Sequence, residues 1–413
     1  MNIGAKIKSL RIRRGLTQKQ LASGEMTREL VSLIENGKCN PSLDTIRIIS
    51  RKLGVSPDCF LSDADHMGTV EELLHSANEC LKANLPNQSL ERATKALEMC
   101  NTWNSEEHMC HVHACIGESY EMLNDRHRAI DAFEMALQRS IAKADRLQTT
   151  RYLFRIANNY FHLEDYEKAA RYYSRLISLT EGSKKLQHTN VSATIYLGSC
   201  HYRLGELALA REMHAHAQIE AKRIFERKLE IEASLGLGGV LYKSGDCDGA
   251  IRITETAVGT SRECNNHLLP HLLLNLGIYY SQQRKWDSAL TRWNSCIEYC
   301  TTRGEWVLMA SALEEISRYH LYLGETEKAK EVLLNALDVL DRHENRLLRA
   351  RIYRGLADLT VKSGACTQAL DLYRLSIFLF RSVGAAEEIR VTEQHLRVAR
   401  ENNQAYAPSD MNK

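Results

Sequence analysis

The sequence predicts an all-α protein, in which a small helical domain precedes an array of stacked helical hairpins. First, one spacing of small and large residues recurs eight times, at intervals of 39 to 41 residues. Second, only five prolines occur among 413 residues, so long helices are almost uninterrupted. Third, residues 1–63 have a composition of their own, with eleven Lys and Arg against six Asp and Glu, whereas the rest is mildly acidic.

The repeated spacing is clearest where Gly117, Tyr120, Ala129, Phe133 and Ala136 follow one another at offsets of 0, 3, 12, 16 and 19. A small residue with an aromatic three positions later marks one face of a first helix. The alanine, the large residue and the last small one form the apolar stripe of a second helix. A single hairpin cannot bury that stripe, so the units must stack. The first positions, here called anchors, are Ala77, Gly117, Ala157, Gly198, Gly238, Gly277, Ser317 and Ala357.

This pattern resembles the tetratricopeptide repeat, although its period exceeds the roughly 34 residues of that repeat. The additional residues are expected in a longer second helix or in the links. The resemblance implies a right-handed α-solenoid of about eight hairpins over 70–383, whose first helices line a concave channel. A further amphipathic helix over 384–403 is expected to cap the array, and 404–413 are expected to form a mobile tail.

The first 63 residues carry the start and stop signals of short helices. Thr17 and Gln20 have the spacing of a capping box. Thr27 is a second N-cap, and Asn36 with Gly37 ends the helix that it starts. Five short helices are expected in all, over 3–14, 17–22, 27–35, 41–53 and 55–61.

Three motifs in this head, Leu16–Gln18, Ile34–Lys38 and Pro41–Leu43, resemble those of the Cro/C1-type helix-turn-helix domain. The resemblance implies that the third helix enters the major groove. An arginine there can bond guanine, a glutamate can accept from cytosine, and a leucine can contact a thymine methyl. Base contacts are thus assigned to Arg28, Glu29, Ser32 and Leu33, and phosphate contacts to Gln18, Thr27, Asn36 and Lys38. The alternative is a helical bundle without a role in DNA binding.

Residues 64–69 are short, polar and contain one glycine, so they are predicted to link the head to the array with limited reach. Heads of this type read paired half-sites as dimers, and a homodimer is therefore expected.

Residues six and three before each anchor, and one and four after it, are predicted to face the channel; we call this set the channel face. Aromatic rings beside amides and arginines suit an extended peptide, because they offer pockets, backbone partners and cations. The alternative is that these are solvated polar side chains. The candidate peptide-binding residues are Arg151, Phe154, Arg155, Asn158, Phe161, Tyr202, Asn275, Arg318, Arg351 and Arg354, of which Arg155 and Asn275 are borderline.

Other chemistry has weaker support. His108, His111 and Cys115 share one side of a helix, a spacing compatible with zinc or copper, but helix packing explains these residues better. The run Gly236–Gly239 follows no strand, so close packing explains it better than phosphate binding. No catalytic motif is recognisable, and neither enzymatic activity nor a cofactor is expected.

The order of a Cro/C1-type head, about eight repeats and a capping helix resembles the peptide-pheromone receptors of Gram-positive bacteria, the Rgg, NprR, PlcR and PrgX (RRNPP) group. The turn Leu21–Thr27 is similar to one found in several of them, with Glu25 departing from the apolar residue usual there. The resemblance implies a transcriptional regulator that binds double-stranded DNA and, in quorum sensing, a short signalling peptide. The alternatives are an adaptor for a protein partner such as a response regulator, and a metal or redox sensor.

The composition also bears on where the protein works. Twelve cysteines without a disulfide framework fit a reducing compartment. No signal peptide and no apolar run of membrane-spanning length is recognisable, so a cytoplasmic protein without membrane contact is expected.

Overall fold

The computed structural model describes residues 3–55, 57, 60, 63–102, 108–341 and 343–405. Within these residues all regular structure is helical, as predicted. The chain divides into two compact units, Met1–Leu179 and Thr180–Lys413, and each is treated by itself below.

The head at the start of the first unit contains α1 (Ile3–Arg13), α2 (Gln18–Ala22), α3 (Arg28–Glu35) and α4 (Leu43–Leu53). The predicted fifth short helix lies largely outside the described residues. Each helix contributes apolar side chains to one core, as its spacing requires. The fully buried members of this core are Ile7, Leu21, Val31, Ile49 and Leu53.

Local capping chemistry fixes where the helices of the head begin. The Thr17 hydroxyl accepts from the backbone N–H of Gln20 at 3.2 Å, and the Gln20 side chain accepts from the N–H of Thr17 at 2.8 Å. The predicted capping box is therefore confirmed. Gly37 has a φ of 69°, which supplies the left-handed residue expected after α3.

The first unit continues with three hairpins of antiparallel helices. These are α5 (Asp63–Lys82) with α6 (Pro86–Thr102), α7 (Met109–Met122) with α8 (Arg126–Ala142), and α9 (Arg146–His162) with α10 (Tyr166–Thr180).

Residues 64–69, expected to be a link, instead form the first turns of α5. Acidic residues at a helix N-terminus favour the helix, and a single internal glycine costs only about 1 kcal/mol. Burial of Val70, Leu74 and Ala77 further along the same helix offsets that loss. Glycine and polarity alone therefore do not mark a break in this segment.

The second unit begins with a short 3-10 turn, Lys184–Leu186, and contains five hairpins and a final helix. The hairpins are α11 (Gln187–Arg203) with α12 (Leu207–Arg223), α13 (Arg227–Lys243) with α14 (Cys247–Glu263), α15 (Leu269–Gln282) with α16 (Trp286–Arg303), α17 (Trp306–Tyr322) with α18 (Thr326–Asp341), and α19 (Arg346–Lys362) with α20 (Cys366–Ser382). The final helix is α21 (Ala386–Ala405), close to the predicted capping helix.

All eight anchors lie in first helices, which confirms the repeat register. The period of about 40 arises because both helices of a hairpin are long, not only the second. In the fourth repeat, α11 and α12 each have 17 residues and are joined by a three-residue turn. The links stay short, so consecutive helices are antiparallel neighbours.

Small anchors allow large residues of the second helix to reach the first. A Cβ placed on Gly277 would lie 2.2 Å from Nε1 of Trp293, and one on Gly117 would lie 2.8 Å from the Phe133 ring. Both Trp293 and Phe133 are fully buried. The small-to-large spacing read from the sequence is thus a direct contact between the helices of one hairpin.

The run Gly236–Gly239 in α13 has the same explanation. A Cβ on Gly236 would lie 2.3 Å from the imidazole of His214, and a Cβ on Gly238 would lie 2.7 Å from the Thr254 hydroxyl. By contrast, a Cβ on Gly239 would meet nothing within 4 Å. Close packing, as predicted, therefore explains Gly236 and Gly238 but not Gly239.

Candidate nucleic-acid interface and peptide-binding face

Helix α3 is fixed in the head by its cap and by its inner face. The Thr27 hydroxyl accepts from the N–H of Leu30 at 3.2 Å. Val31, Ile34 and Glu35 are buried against the remainder of the head. The opposite face of α3 is therefore directed towards solvent, which a recognition helix requires.

The four residues predicted to contact bases lie on or beside that exposed face. Arg28 and Glu29 are exposed in the first turn, and Ser32 is half-buried one turn later. Leu33 is 43% exposed, so an apolar side chain is open to solvent between polar ones. The surface offers a donor, an acceptor and a methyl-sized apolar contact within two turns, the chemistry that major-groove readout uses.

The residues predicted to contact phosphates divide into two groups. Thr27, Asn36 and Lys38 are exposed near the two ends of α3. Gln18 is half-buried, and its amide donates to a carboxylate oxygen of Glu35 at 2.8 Å. The structure thus gives Gln18 a hydrogen bond inside the head, which the sequence did not indicate.

A buried ion pair, also missed from the sequence, joins α1 to α3. Nε of Arg11 lies 2.5 Å from Oε1 of Glu35, and its Nη2 lies 2.9 Å from Oε2. Its Nη1 donates to the carbonyl of Leu16 at 2.7 Å. The signal was present, because Arg11 lies on the buried stripe of α1 with Ile7.

The electrostatics of this pair favour its charged form. Burial disfavours ionisation of Glu35, but hydrogen bonds from Arg11 and Gln18 outweigh it and hold the pKa of the Glu35 carboxyl below its ordinary value. The hydrogen bond to Glu35 likewise raises the pKa of Arg11. Arg11 thereby helps to set the position of α3.

A groove of about 670 Å³ lies beside the start of α3. Its lining includes the exposed side chains of Lys19, Gln20 and Arg28 and the half-buried Met26. The groove continues the exposed polar surface from α2 to α3, where phosphate and base contacts are predicted to meet.

On the channel face of the first unit, the predicted arginines are paired with carboxylates of the preceding first helix. Nη2 of Arg151 lies 2.5 Å from Glu118, and Nη1 of Arg155 lies 2.8 Å from Glu121. Glu121 also accepts from the amide of the buried Asn159 at 2.5 Å. Burial raises the pKa of the Glu121 carboxyl, although Arg155 and Asn159 oppose this.

The aromatic candidates on the same face contact neighbouring rings. Phe154 packs edge-on against Tyr173 with ring centroids 5.9 Å apart, and the Tyr173 hydroxyl donates to the side-chain Oδ1 of Asn158. Phe161 packs edge-on against Tyr166 at 5.4 Å. These contacts fix the rings in place and leave each predicted residue only half-buried.

The second unit repeats the pairing of arginines with acids. Arg318 lies 2.8 Å from Glu315 and 3.1 Å from Glu314, and Arg351 lies 2.6 Å from Glu314. Arg354 pairs with Glu388 of α21. Burial raises the pKa of the Glu315 carboxyl, with Arg318 opposing the shift. Every predicted arginine of the channel face is therefore held by at least one carboxylate.

The two remaining candidates lie in the second unit. The ammonium of Lys243 is 4.7 Å from the centre of the Tyr202 ring, a cation–π contact. Asn275 is half-buried on α15.

The histidine and cysteine side chains at the start of α7 point to different neighbours. The Cys110 thiol lies 3.4 Å from the Ala136 carbonyl, whereas the Cys115 thiol lies 3.6 Å from the Ser89 hydroxyl. Nε2 of His108 is 3.9 Å from Glu71. Among the residues that the structure describes, no three His, Cys, Asp or Glu side chains are grouped so that they could hold a metal.

Within the described part of the chain, no helix combines the length and the apolar character needed to cross a bilayer.

Two family models match the sequence. The helix-turn-helix model matches residues 7–58, and the tetratricopeptide repeat model matches residues 150–183. These matches and the fold confirm the predicted class: the protein carries a helix-turn-helix domain followed by tetratricopeptide-like repeats.

Solved structures share this fold at low sequence identity. The apo form of RapI is 12% identical with a TM-score of 0.65, and the alignment covers 93% of this chain and 98% of that one. Aspartyl phosphate phosphatase F from Bacillus subtilis is 14% identical with a TM-score of 0.54, covering 91% and 93%. The apo quorum sensor NprR from B. thuringiensis is 15% identical with a TM-score of 0.53, covering 81% and 86%. The resemblance to the RRNPP group is thereby confirmed in its fold.

Proposed function

We propose that this protein is a DNA-binding transcriptional regulator whose repeat array binds a short signalling peptide. The observation that carries the first half is the exposed face of α3, where Arg28, Glu29 and Leu33 project from a helix fixed by the Thr27 cap and the Arg11–Glu35 pair. Side chains on a rigid element hold the geometry that base readout needs.

The second half rests on the chemistry of the channel face. In the first unit, the half-buried Phe154 shares this face of α9 with Asn158 and with Arg155, which a carboxylate already orients. In the second unit, the half-buried ring of Tyr202 contacts the ammonium of Lys243. An extended peptide needs pockets for alternate side chains and polar groups for its backbone, and this face offers both. A structure of similar fold, NprR, is named a quorum sensor, and quorum sensing is the role that the sequence resemblance implies for this chain.

In this proposal the peptide acts by linkage. The peptide can change the affinity for DNA only as far as its own affinity differs between two conformations of the protein. Bound DNA must then change the affinity for the peptide by the same factor. A cytoplasmic homodimer, in which two heads read two half-sites, is part of the same proposal.

A second candidate is an adaptor that binds a protein partner such as a response regulator. It is favoured by the fold shared with RapI and with a protein named aspartyl phosphate phosphatase F. In that case the array would contact a folded surface, and DNA binding would be auxiliary.

Two measurements on the full chain test these proposals. Selection from a random duplex library at low salt should enrich one sequence, and failure to retain any duplex would refute the DNA-binding half. Native mass spectrometry of protein purified from its own cells should show a bound mass below about 2 kDa for a peptide. A stoichiometric protein would instead support the adaptor.

A further inference from the structure

One carboxylate on the channel face departs from the pairing described above. Glu232 lies on α13, six residues before the anchor Gly238, and is half-buried. Within the described residues, no hydrogen bond or ion pair reaches its side chain. By contrast, Glu118 and Glu121 in the first unit and Glu314 in the second, all at channel-face positions, each have an arginine partner.

The repeat register shows why Glu232 has no partner. The equivalent position in the third repeat is Arg151, which pairs with Glu118 one residue after the preceding anchor. The residue equivalent to Glu118 ahead of Glu232 is Ser199, whose hydroxyl donates to the carbonyl of Ile195 in its own helix at 3.1 Å. An acid thus replaces the arginine, and no cation replaces the acid.

The groups around Glu232 influence its charge without neutralising it. Burial raises the pKa of its carboxyl, and His267, His188 and Lys228 lower it only in part through their charges. The carboxylate also contributes, after burial, to the raised pKa of Tyr196 on α11. All three basic neighbours are exposed, so solvent weakens their attraction for Glu232.

We propose that Glu232 binds a cationic nitrogen of the peptide, either an arginine or lysine side chain or the peptide's amino terminus. The cation would supply at this position the ion pair that Arg151 and Glu118 form between the second and third repeats. A partly desolvated carboxylate attracts a charged donor more strongly than a fully solvated carboxylate does. The inference rests on the proposed peptide-binding function and adds a charge requirement to it.

The direct test uses three synthetic heptapeptide mixtures on the immobilised full chain. In the first, one arginine occupies each position in turn on a randomised background without other charged side chains. In the second, citrulline replaces arginine, and in the third the arginine peptides are acetylated at the amino terminus. Retained peptides are quantified by mass spectrometry for the wild type, for Glu232→Gln and for Glu298→Gln, which removes an equal charge from an exposed position on α16.

The wild type and Glu298→Gln should retain the preferred cationic mixture about tenfold above its neutral counterpart, whereas Glu232→Gln should retain both equally. Sensitivity to citrulline identifies a side chain as the cation, and sensitivity to acetylation identifies the amino terminus. Retention without charge preference, or a preference that persists in Glu232→Gln, overturns this inference alone. Retention of no peptide at all refutes the proposed function as well.

A measurement on the peptide-free protein provides an independent check. Because its carboxylate is uncompensated, Glu232→Gln should raise the thermal midpoint by about 2–4 °C. Glu118→Gln, which breaks two ion pairs with Arg151 and Arg155, should lower it. A midpoint for Glu232→Gln that is unchanged or lower would show that the carboxylate is compensated, and would overturn the inference.

Discussion

The head and the repeat array are stabilised in different ways. In the head, a single buried ion pair between Arg11 and Glu35 joins two helices that belong to one core. In the array, each hairpin repeats the contact between a small anchor and a large residue, as between Gly277 and Trp293. The head thus adds one buried ion pair to its apolar core, whereas the array repeats one kind of packing contact from hairpin to hairpin.

The largest effect of a substitution on stability is expected in the head. Arg11→Met should destabilise the head by about 3–5 kcal/mol, because it leaves Glu35 charged and buried without its partner. Hydrogen exchange measured by mass spectrometry should show faster exchange throughout α1–α4, with loss of duplex binding.

Arg47→Met is the matched control for that experiment. Arg47 pairs with Asp44 at 3.4 Å on the surface, so its loss should change stability by less than about 0.5 kcal/mol. Equal effects of the two substitutions would show that the buried pair is no more important than a surface one.

In the array, acid should act through His214. Burial lowers the pKa of this histidine to about 4 from 6.5, so the folded protein disfavours its protonation. The stability it contributes is complete above about pH 6.5 and is lost as the pH falls towards 4, by about 2 kcal/mol at pH 5.

Tryptophan fluorescence can follow this loss, since three of the four tryptophans, Trp286, Trp293 and Trp306, lie in the second unit. Unfolding at pH 7.5 and pH 5 should differ less in His214→Leu than in the wild type. The exposed His188→Leu should retain the wild-type difference. A wild-type response in His214→Leu would rule out this histidine as the cause.

A smaller effect is expected from two glycines of α13. Gly236→Ala should destabilise the second unit by about 1–3 kcal/mol, because its new methyl group would overlap the His214 ring. Gly239→Ala meets nothing and should be neutral or stabilising by up to about 1 kcal/mol, since alanine favours helix. Thermal midpoints of the two variants give the comparison, and a similar loss in both would contradict the packing explanation.

The last prediction concerns DNA binding and involves no loss of fold. Arg28→Ala should weaken binding to the selected duplex by about 1–3 kcal/mol and leave unrelated duplexes unaffected. Lys38→Ala should weaken binding to all duplexes alike. It should also reduce the slope of log Kd against log salt concentration by about one. Fluorescence anisotropy at several salt concentrations distinguishes the two variants. If both lost the same affinity for selected and unrelated duplexes, α3 would not be the recognition helix.

Local signals explain how much could be predicted from the sequence. The capping residues Thr17 and Thr27 and the anchor spacing act within one helix or one hairpin, so the helices and the repeat register followed from them. The start of α5 did not, because a glycine among polar residues is typical of a link, whereas here these residues continue a helix.

The ion pairs escaped prediction for a different reason. Arg151 and Glu118, or Arg351 and Glu314, are more than thirty residues apart and meet only through the stacking of successive first helices. The sequence indicated that these arginines share a face, but it did not indicate which carboxylate each would contact. For the same reason, the sequence did not indicate that Glu232 lacks such a partner.

The central claim is that the array controls the head through a bound peptide. It is tested most directly by the affinity of the full chain for its selected duplex, measured with and without a heptapeptide retained in the affinity selection. The peptide should change the Kd of the wild type for the duplex by at least about fivefold, and this change should be absent in Glu232→Gln. The same Kd with and without a saturating peptide would contradict it.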